Sequence, residues 1–195
     1  MKSLMRSLLA AGALTLAFAA NAATVDLAGV KLEDSITANG AQLQLNGSGI
    51  RYKAIFKVYA AGLYLSKKSA SLEEVIAAPG PKRMSITMLR DIDSAELGKL
   101  FTRGVEDNLD RAEFSKLVPG LLRMGEIFAS QKKLMAGENF IIDWIPGTGT
   151  IITVKGVPQG EPFKEPKFFG ALMGIWLGKA PADHKLKDGL LGQKS

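Results

Sequence analysis

The stretch that decides the fold is RYKAIFKVYAAGLYL, residues 51–65. Its two faces alternate: Ala54, Phe56, Val58 and Ala60 lie on one, and Lys53, Ile55, Lys57 and Tyr59 on the other. A period of two among β-branched and aromatic residues predicts a strand with one apolar face. Residues 42–45 also alternate, and because Gly47-Ser48-Gly49 follows them, the pattern predicts a hairpin broken at these small residues. Gly62 predicts a bulge or a close backbone approach.

The rest of the chain adds helices and further strands around this hairpin. Periodicity and capping residues predict, in order, a helix from Ser71, a strand over 82–89, helices over 94–108 and 110–127, strands over 140–145 and 151–154, and helices over 167–177 and after Asp183. Pro119-Gly120 predicts a kink or an interruption in the second long helix. Strands grouped around a helical block favour an α+β fold, with a large, mainly antiparallel sheet and helices on one face.

The composition limits the class of protein. The 195 residues are 47% hydrophobic and 23% charged, with one histidine and no cysteine. This is typical of one globular domain, and the lack of cysteine excludes a disulfide scaffold, a thiolate metal site and a cysteine nucleophile. Basic residues occur as scattered pairs rather than as a stripe with aromatics, so we expect no nucleic acid as partner.

The first 22 residues predict a secretory signal peptide. Lys2 and Arg6 precede an apolar run from Leu8 to Ala20, and Ala20-Asn21-Ala22 matches a small-x-small cleavage site. The run is too short to span about 30 Å of hydrocarbon comfortably. Cleavage after Ala22 lowers the net charge from +6 to +4 and leaves a single domain over 23–195 without a second candidate membrane span. The short signal and the absence of disulfides favour the bacterial periplasm.

The sequence lacks the residues of a histidine-containing catalytic or metal site and of a phosphate-binding loop. His184 has no triad or metal-ligating partner near it in the sequence, which is typical of a solvated surface histidine. The run Pro146-Gly147-Thr148-Gly149-Thr150 precedes a strand and lacks the lysine of a phosphate-binding loop, so it predicts a hairpin turn. We therefore expect neither a metal nor a cofactor.

Five later segments matter through their order and their spacing from residues 51–65. They are TMLRD at 87–91, GVEDN at 104–108, GTGT at 147–150, ALMGIWLG at 171–178 and APA at 180–182. Together they resemble the chalcone isomerase-like superfamily, in particular its exported bacterial branch, and the likeness covers essentially all of residues 23–195. The resemblance implies an open-faced β-sandwich in which helices cover a large antiparallel sheet and leave a cleft for an apolar ligand.

The resemblance also points to site residues. In the family's enzymes an arginine, hydroxyl side chains and an asparagine position the substrate and stabilise negative charge on its oxygen. Matched on neighbouring motifs, the strand threonine falls on Tyr59, the tyrosine on Phe101, the asparagine on Asn108 and the last hydroxyl on Phe169, and Arg51 takes the arginine's place only with a gap. The candidate catalytic residues are Arg51, Tyr59 and Asn108, and the candidate ligand-binding set adds Arg90, Phe101 and Phe169. The competing interpretation is that the aromatic members only fill the core.

Three functions follow from these observations. The first is an exported, non-catalytic binder of a small apolar or amphipathic ligand such as a fatty acid, whose carboxylate meets Arg51 or Arg90. The replacements Phe101 and Phe169 favour it, because they remove hydroxyl donors from the cleft. The second is a cofactor-independent isomerase, or intramolecular lyase, acting on a chalcone-like or other enone substrate. The third is an envelope protein-interaction module with a closed cleft.

Overall fold

The computed structural model describes residues 23–193, so the predicted signal peptide over 1–22 lies outside the described residues. Eleven strands and five helices fall within this range. The strands are β1 (Thr24–Leu27), β2 (Val30–Glu33), β3 (Ser35–Ala38), β4 (Ala41–Lys53), β5 (Phe56–Leu65), β6 (Lys82–Met88), β7 (Ile92–Asp93), β8 (Lys133–Leu134), β9 (Asn139–Ile145), β10 (Gly149–Val154) and β11 (Val157–Pro158). The helices are α1 (Leu72–Ala77), α2 (Ser94–Glu106), α3 (Arg111–Ser130), α4 (Pro166–Leu177) and α5 (His184–Leu190).

Seven of the strands form one antiparallel sheet in the order β11-β10-β9-β6-β5-β4-β3. Along β6 the alternate side chains from Lys82 to Met88 are buried, and those between them are half-buried. The buried face packs against the helices and forms the main core. The β1–β2 pair contributes Leu32 to a smaller cluster with Leu43, Leu45 and Tyr64. The prediction of an α+β fold with a mainly antiparallel sheet and covering helices is confirmed.

Short polar side chains fix where the helices begin. Their oxygens accept backbone N–H groups that the first helical turn leaves without partners: Ser71 from Glu74 at 3.2 Å, Asp93 from Glu96 at 2.9 Å, Asp110 from Glu113 at 2.8 Å and Asp183 from Leu186 at 3.1 Å. Such a cap stabilises a helix by about 1 kcal/mol. The helix starts predicted at Ser71, Asp110 and Asp183 are therefore confirmed.

The predicted turn at Gly47-Ser48-Gly49 is wrong. Strand β4 runs through these residues, and the hairpin turns at Ala54 and Ile55, with Lys53 paired to Phe56. The glycines serve another element, because a Cβ on Gly47 would collide with the carbonyl oxygen of Gly189 in α5. They let α5 pack directly on the strand. Of the bulge or close backbone approach predicted at Gly62, the bulge is wrong, because the register shifts lie between Leu45 and Gly47 and between Arg51 and Tyr52. A Cβ on Gly62 would lie 3.2 Å from the Leu32 side chain, so the close contact there is with side chains.

Of the kink or interruption predicted at Pro119-Gly120, the interruption is wrong, since α3 is continuous from Arg111 to Ser130 with Pro119 inside it. A Cβ on Gly120 would lie 2.8 Å from the Phe168 ring, so this glycine allows α4 to approach α3 closely. Helix α4 is buried along most of its length and packs against α1, α2, α5 and β10. It is the central element of the helical layer and positions the candidate site.

Candidate functional site

A groove of about 950 Å³ lies in the helical layer along one side of α4. Its floor is a stripe of small residues, Gly170, Ala171 and Gly174, which recur on one face of the helix. Apolar side chains from the surrounding elements line its walls: Leu72 and Ile76 from α1, Leu109 between α2 and α3, Leu117 from α3, and Leu191 after α5. The groove is therefore apolar at its bottom and along much of its sides.

The small residues of α4 create this depth. A Cβ on Gly174 would make ordinary van der Waals contact with the Asn108 side chain, whose Cβ lies 3.5 Å away. A Cβ on Gly170 would lie 3.0 Å from Cδ1 of Ile76, a side chain that is 47% exposed. Trp176, by contrast, is fully buried in the core. The two glycines therefore let the side chains of Ile76 and Asn108 lie close to the α4 backbone at the groove floor.

Charged side chains form the rim of the groove. Four lysines and four acids lie there, namely Lys116, Lys167, Lys179, Lys187, Glu73, Glu113, Glu165 and Asp188. Lys167 pairs with Glu113 at 3.2 Å. The ammonium of Lys187 is partly buried and donates to the carbonyl oxygen of Gly178 at 2.8 Å. Because an ammonium has three donors, Lys187 keeps capacity for an anion in the groove.

Asn108 lies at the edge of this groove and joins two elements. Its Nδ2 donates to the carbonyl oxygens of Gly104, at 2.8 Å, and of Ala180, at 2.9 Å. Its Oδ1 accepts the backbone N–H of Ala180 at 2.9 Å. A Cβ on Gly178 would collide with this oxygen, so the glycine is required there. Asn108 therefore ties the end of α2 to the segment between α4 and α5.

Arg51 and Tyr59 lie together between the sheet and α4, opposite each other on β4 and β5. The Tyr59 side chain is buried, which raises the pKa of its hydroxyl, and its oxygen accepts a hydrogen bond from Trp176 Nε1 at 2.8 Å. The Arg51 guanidinium carbon lies 5.7 Å from the centroid of the Tyr59 ring. Within the described residues, the buried Nε of Arg51 has no hydrogen-bond partner.

The other three candidate residues lie apart from this pair and from the groove walls. Phe101 is buried in an aromatic cluster, with ring centroids 5.1 Å from Phe128 and 5.9 Å from Trp176. Phe169 is buried with its ring 6.1 Å from that of Trp144. Arg90 is exposed, and its guanidinium carbon lies 5.2 Å from the centroid of the Phe56 ring. Of the six candidates, only Asn108 lines the groove.

The other residues of the groove do not stand out in the sequence. Its one visible signal is the spacing of Gly170, Gly174 and Gly178, which places small residues on one face of α4. Residues 23–193 contain no cluster of three or more His, Asp or Glu side chains that could hold a metal ion. Nor does any helix in this range combine the length and apolar composition needed to cross a bilayer.

Comparison with known proteins agrees with this architecture. The model of a family described as chalcone isomerase-like matches residues 23–192. Among solved structures, a fatty-acid binding protein of Arabidopsis thaliana is similar, with a TM-score of 0.70 and 17% sequence identity, over 87% of this chain and 96% of that one. At this identity the structural likeness shows the fold alone. No protein of curated function matches the chain in sequence.

Proposed function

This chain belongs to the chalcone isomerase-like family, as its sequence resemblance indicated, and from that premise we propose that it is a non-catalytic binder of a small amphipathic ligand, with a fatty acid as the type case. The observation that carries the proposal is the groove along α4. Its glycine floor and apolar walls suit an alkyl chain, and its rim offers cations for a carboxylate. The fold neighbour from Arabidopsis, itself a fatty-acid binding protein, adds support.

The chemistry of the groove fits an amphipathic chain better than a compact polar molecule. Burial of one methylene contributes about 0.8 kcal/mol, and an open groove gives part of this value because one side of the chain still meets water. We propose that the carboxylate meets Lys187. Its ammonium is held by the Gly178 carbonyl, and its partial burial strengthens an ion pair relative to one in bulk water.

The isomerase alternative has weaker support. Its candidate donors, the Tyr59 hydroxyl and the Asn108 amide, already make hydrogen bonds within the protein. Stabilisation of an oxyanion needs donors aimed at the position where charge develops, and the loss of one such donor lowers a rate by about 10²–10³. Phe101 and Phe169 supply no donor at all. These positions suit packing more than catalysis.

The experiment tests variants in which a larger side chain occupies the groove. Gly174→Leu places a branched side chain on the floor beside Asn108, whereas Gly174→Ala adds only a methyl group that the site accommodates. Gly125→Leu is the matched control, because Gly125 also lies inside a helix, does not line the groove and has open space around its Cβ position. Delipidated proteins are titrated with laurate by calorimetry, and thermal melts establish that each variant is folded.

We expect Gly174→Leu to weaken laurate binding at least tenfold while Gly174→Ala and Gly125→Leu bind within about threefold of the parent chain. Lys187→Met should weaken laurate more than dodecanol, since only the acid carries a charge. Equal laurate affinity in the parent chain and in a folded Gly174→Leu variant would contradict the proposed location.

A second location for the carboxylate is Arg51, beside Tyr59; the sequence predicts Arg51 or Arg90 for this role. The partner-free Nε of Arg51 within the described residues supports it. Here Arg51→Met would abolish laurate binding and Lys187→Met would leave it unchanged. Lys187→Met and Arg51→Met therefore distinguish the two locations. If neither variant loses laurate binding, the result would argue against a carboxylate ligand.

We also propose that the protein acts in the periplasm after removal of residues 1–22. The support is the basic start, the apolar run and the cleavage site of the sequence. N-terminal sequencing of the protein recovered from its own host should begin at Ala23. A protein that retains Met1 in the cytoplasmic fraction would contradict the proposal.

A further inference from the structure

The turn of the β4–β5 hairpin carries an unusual set of exposed side chains. We define the hairpin tip as residues 52–57, from Tyr52 to Lys57. Ile55 is 84% exposed, Phe56 is 56% exposed and Tyr52 is 41% exposed. Each is a large apolar or aromatic side chain that normally lies at least partly inside a protein. Three of them within five residues form an apolar patch.

The hairpin tip extends past the rest of the sheet. Strand β6 pairs with β5 only from Tyr59 onward, and β3 pairs with β4 only as far as Gln44. In the part of the chain that the structure describes, the tip is therefore a two-stranded projection. Its turn also departs from the usual chemistry, because Ala54 has a φ of 53° where glycine or asparagine is favoured. The sequence has apolar residues where turns are usually polar.

The charged residues of the hairpin are all basic. Residues 35–72 contain no aspartate or glutamate, and Arg51, Lys53 and Lys57 lie in or next to the tip. Arg90 adds a fourth cation, with its guanidinium carbon 5.2 Å from the Phe56 ring centroid. The acid that reaches the tip is Asp183, whose carboxylate accepts the N–H groups of Tyr52 and Leu186.

We propose that the hairpin tip is a membrane-contact site that inserts Ile55 and Phe56 into the surface of an anionic lipid bilayer. Lysines beside apolar side chains suit this surface, since their stems pack on the acyl boundary and their ammonium groups reach the headgroup phosphates. A standard protein interface takes about 20–30 residues from each partner, far more than three projecting side chains offer. A bilayer accepts a small convex tip without a shaped counterpart.

The inference stands on the tip alone and does not depend on the proposed ligand groove. If both proposals hold, the tip would bring the groove to the lipid bilayer, where long-chain amphiphiles reside. The two proposals fail separately, because the groove is tested with soluble laurate and the tip is tested with vesicles.

The experiment is flotation of residues 23–195 with vesicles of phosphatidylcholine alone or mixed with phosphatidylglycerol. The variants are Ile55→Ser with Phe56→Ser, and Lys53→Gln with Lys57→Gln. Leu122→Ser is the matched control, because Leu122 is a large apolar residue that is 64% exposed on α3. All the substituted side chains are exposed, so thermal melts should be unchanged.

We expect binding to the anionic vesicles that weakens as salt rises, with little binding to phosphatidylcholine alone. The serine pair should lower the partition coefficient at least about tenfold, and each glutamine about fivefold on anionic vesicles. Leu122→Ser should match the parent chain.

Three results would overturn the proposal: no binding of the parent chain to either vesicle, equal binding by the serine pair, or a concentration-dependent dimer that the serine pair abolishes while vesicles stay unbound. The last result would assign the tip to a second copy of this chain.

Discussion

Asn108→Ala should destabilise the protein, because this side chain holds two elements together. Three hydrogen bonds are lost, of 2.8, 2.9 and 2.9 Å, to Gly104 and to both backbone groups of Ala180. Each contributes about 1 kcal/mol net. Ala180 is exposed, so water recovers part of the loss, and we expect the free energy of unfolding to fall by about 2 kcal/mol. For a chain of this size that lowers Tm by about 4–8 °C.

Two variants make the test specific. Asn108→Asp keeps an acceptor for the Ala180 N–H but turns a charged oxygen toward the carbonyl oxygens of Gly104 and Ala180. It also places an anion at the C-terminal end of α2, where the helix dipole disfavours it. It should cost at least as much as the alanine variant. Thr102→Ala is the control, because Thr102 bonds the Gly98 carbonyl at 3.2 Å within the same helix and joins no second element. We expect it to change stability by less than about 0.5 kcal/mol.

Urea unfolding, followed by circular dichroism and by tryptophan fluorescence, measures all three variants. Two results would contradict the predicted role of Asn108: a free energy of unfolding for Asn108→Ala within about 0.5 kcal/mol of the parent chain, or an Asn108→Asp variant as stable as the parent. Either result would mean that the amide is not a structural tie and is available for a ligand.

Other predictions concern buried polar groups of the sheet. Arg83→Met should lower the free energy of unfolding by about 3–5 kcal/mol, because it leaves Asp143 unpaired where the two form a bond of 2.7 Å. Adding Asp143→Leu to Arg83→Met should restore most of the lost free energy of unfolding. Equal losses of stability in the single and the double variant would contradict this prediction. Burial lowers the pKa of the Lys82 ammonium, so its protonated form destabilises the fold until the pH rises through that pKa. Lys82→Met should therefore raise Tm near pH 7, and raise it less near pH 10. A gain in Tm that grows with pH would contradict the lowered pKa. Tyr59→Phe leaves Trp176 Nε1 without its acceptor and should lower the free energy of unfolding, measured in urea, by about 1–3 kcal/mol. If the variant loses more free energy of laurate binding than of unfolding, the ligand would lie beside Tyr59.

The fold was largely predictable because its signals are local. Alternation along 51–65 and the capping oxygens of Ser71, Asp110 and Asp183 act on residues a few positions away. The turn of the first hairpin was not predictable in the same way. A glycine that permits a turn and one that permits a helix to pack against a strand look alike in sequence, and Gly47 meets α5 from the far end of the chain.

The candidate site was harder to predict for the same reason. Asn108 was found through a motif, but the groove depends on how α1, α4 and α5 pack around it. The spacing of Gly170 and Gly174 marks a face of small residues and does not say whether another helix or open space covers that face. Arg51, Tyr59 and Phe101 were recognised as a set, and their buried surroundings depend on Trp176, which lies on a distant helix.

The most direct measurement is calorimetric titration of the delipidated chain with saturated fatty acids of increasing length. If the α4 groove holds the alkyl chain, Kd should fall about two- to fourfold with each added methylene until the groove is filled, because each contributes up to about 0.8 kcal/mol. The heat capacity change should also become more negative with length. A Kd that does not depend on chain length, or no binding at any length, would contradict the account.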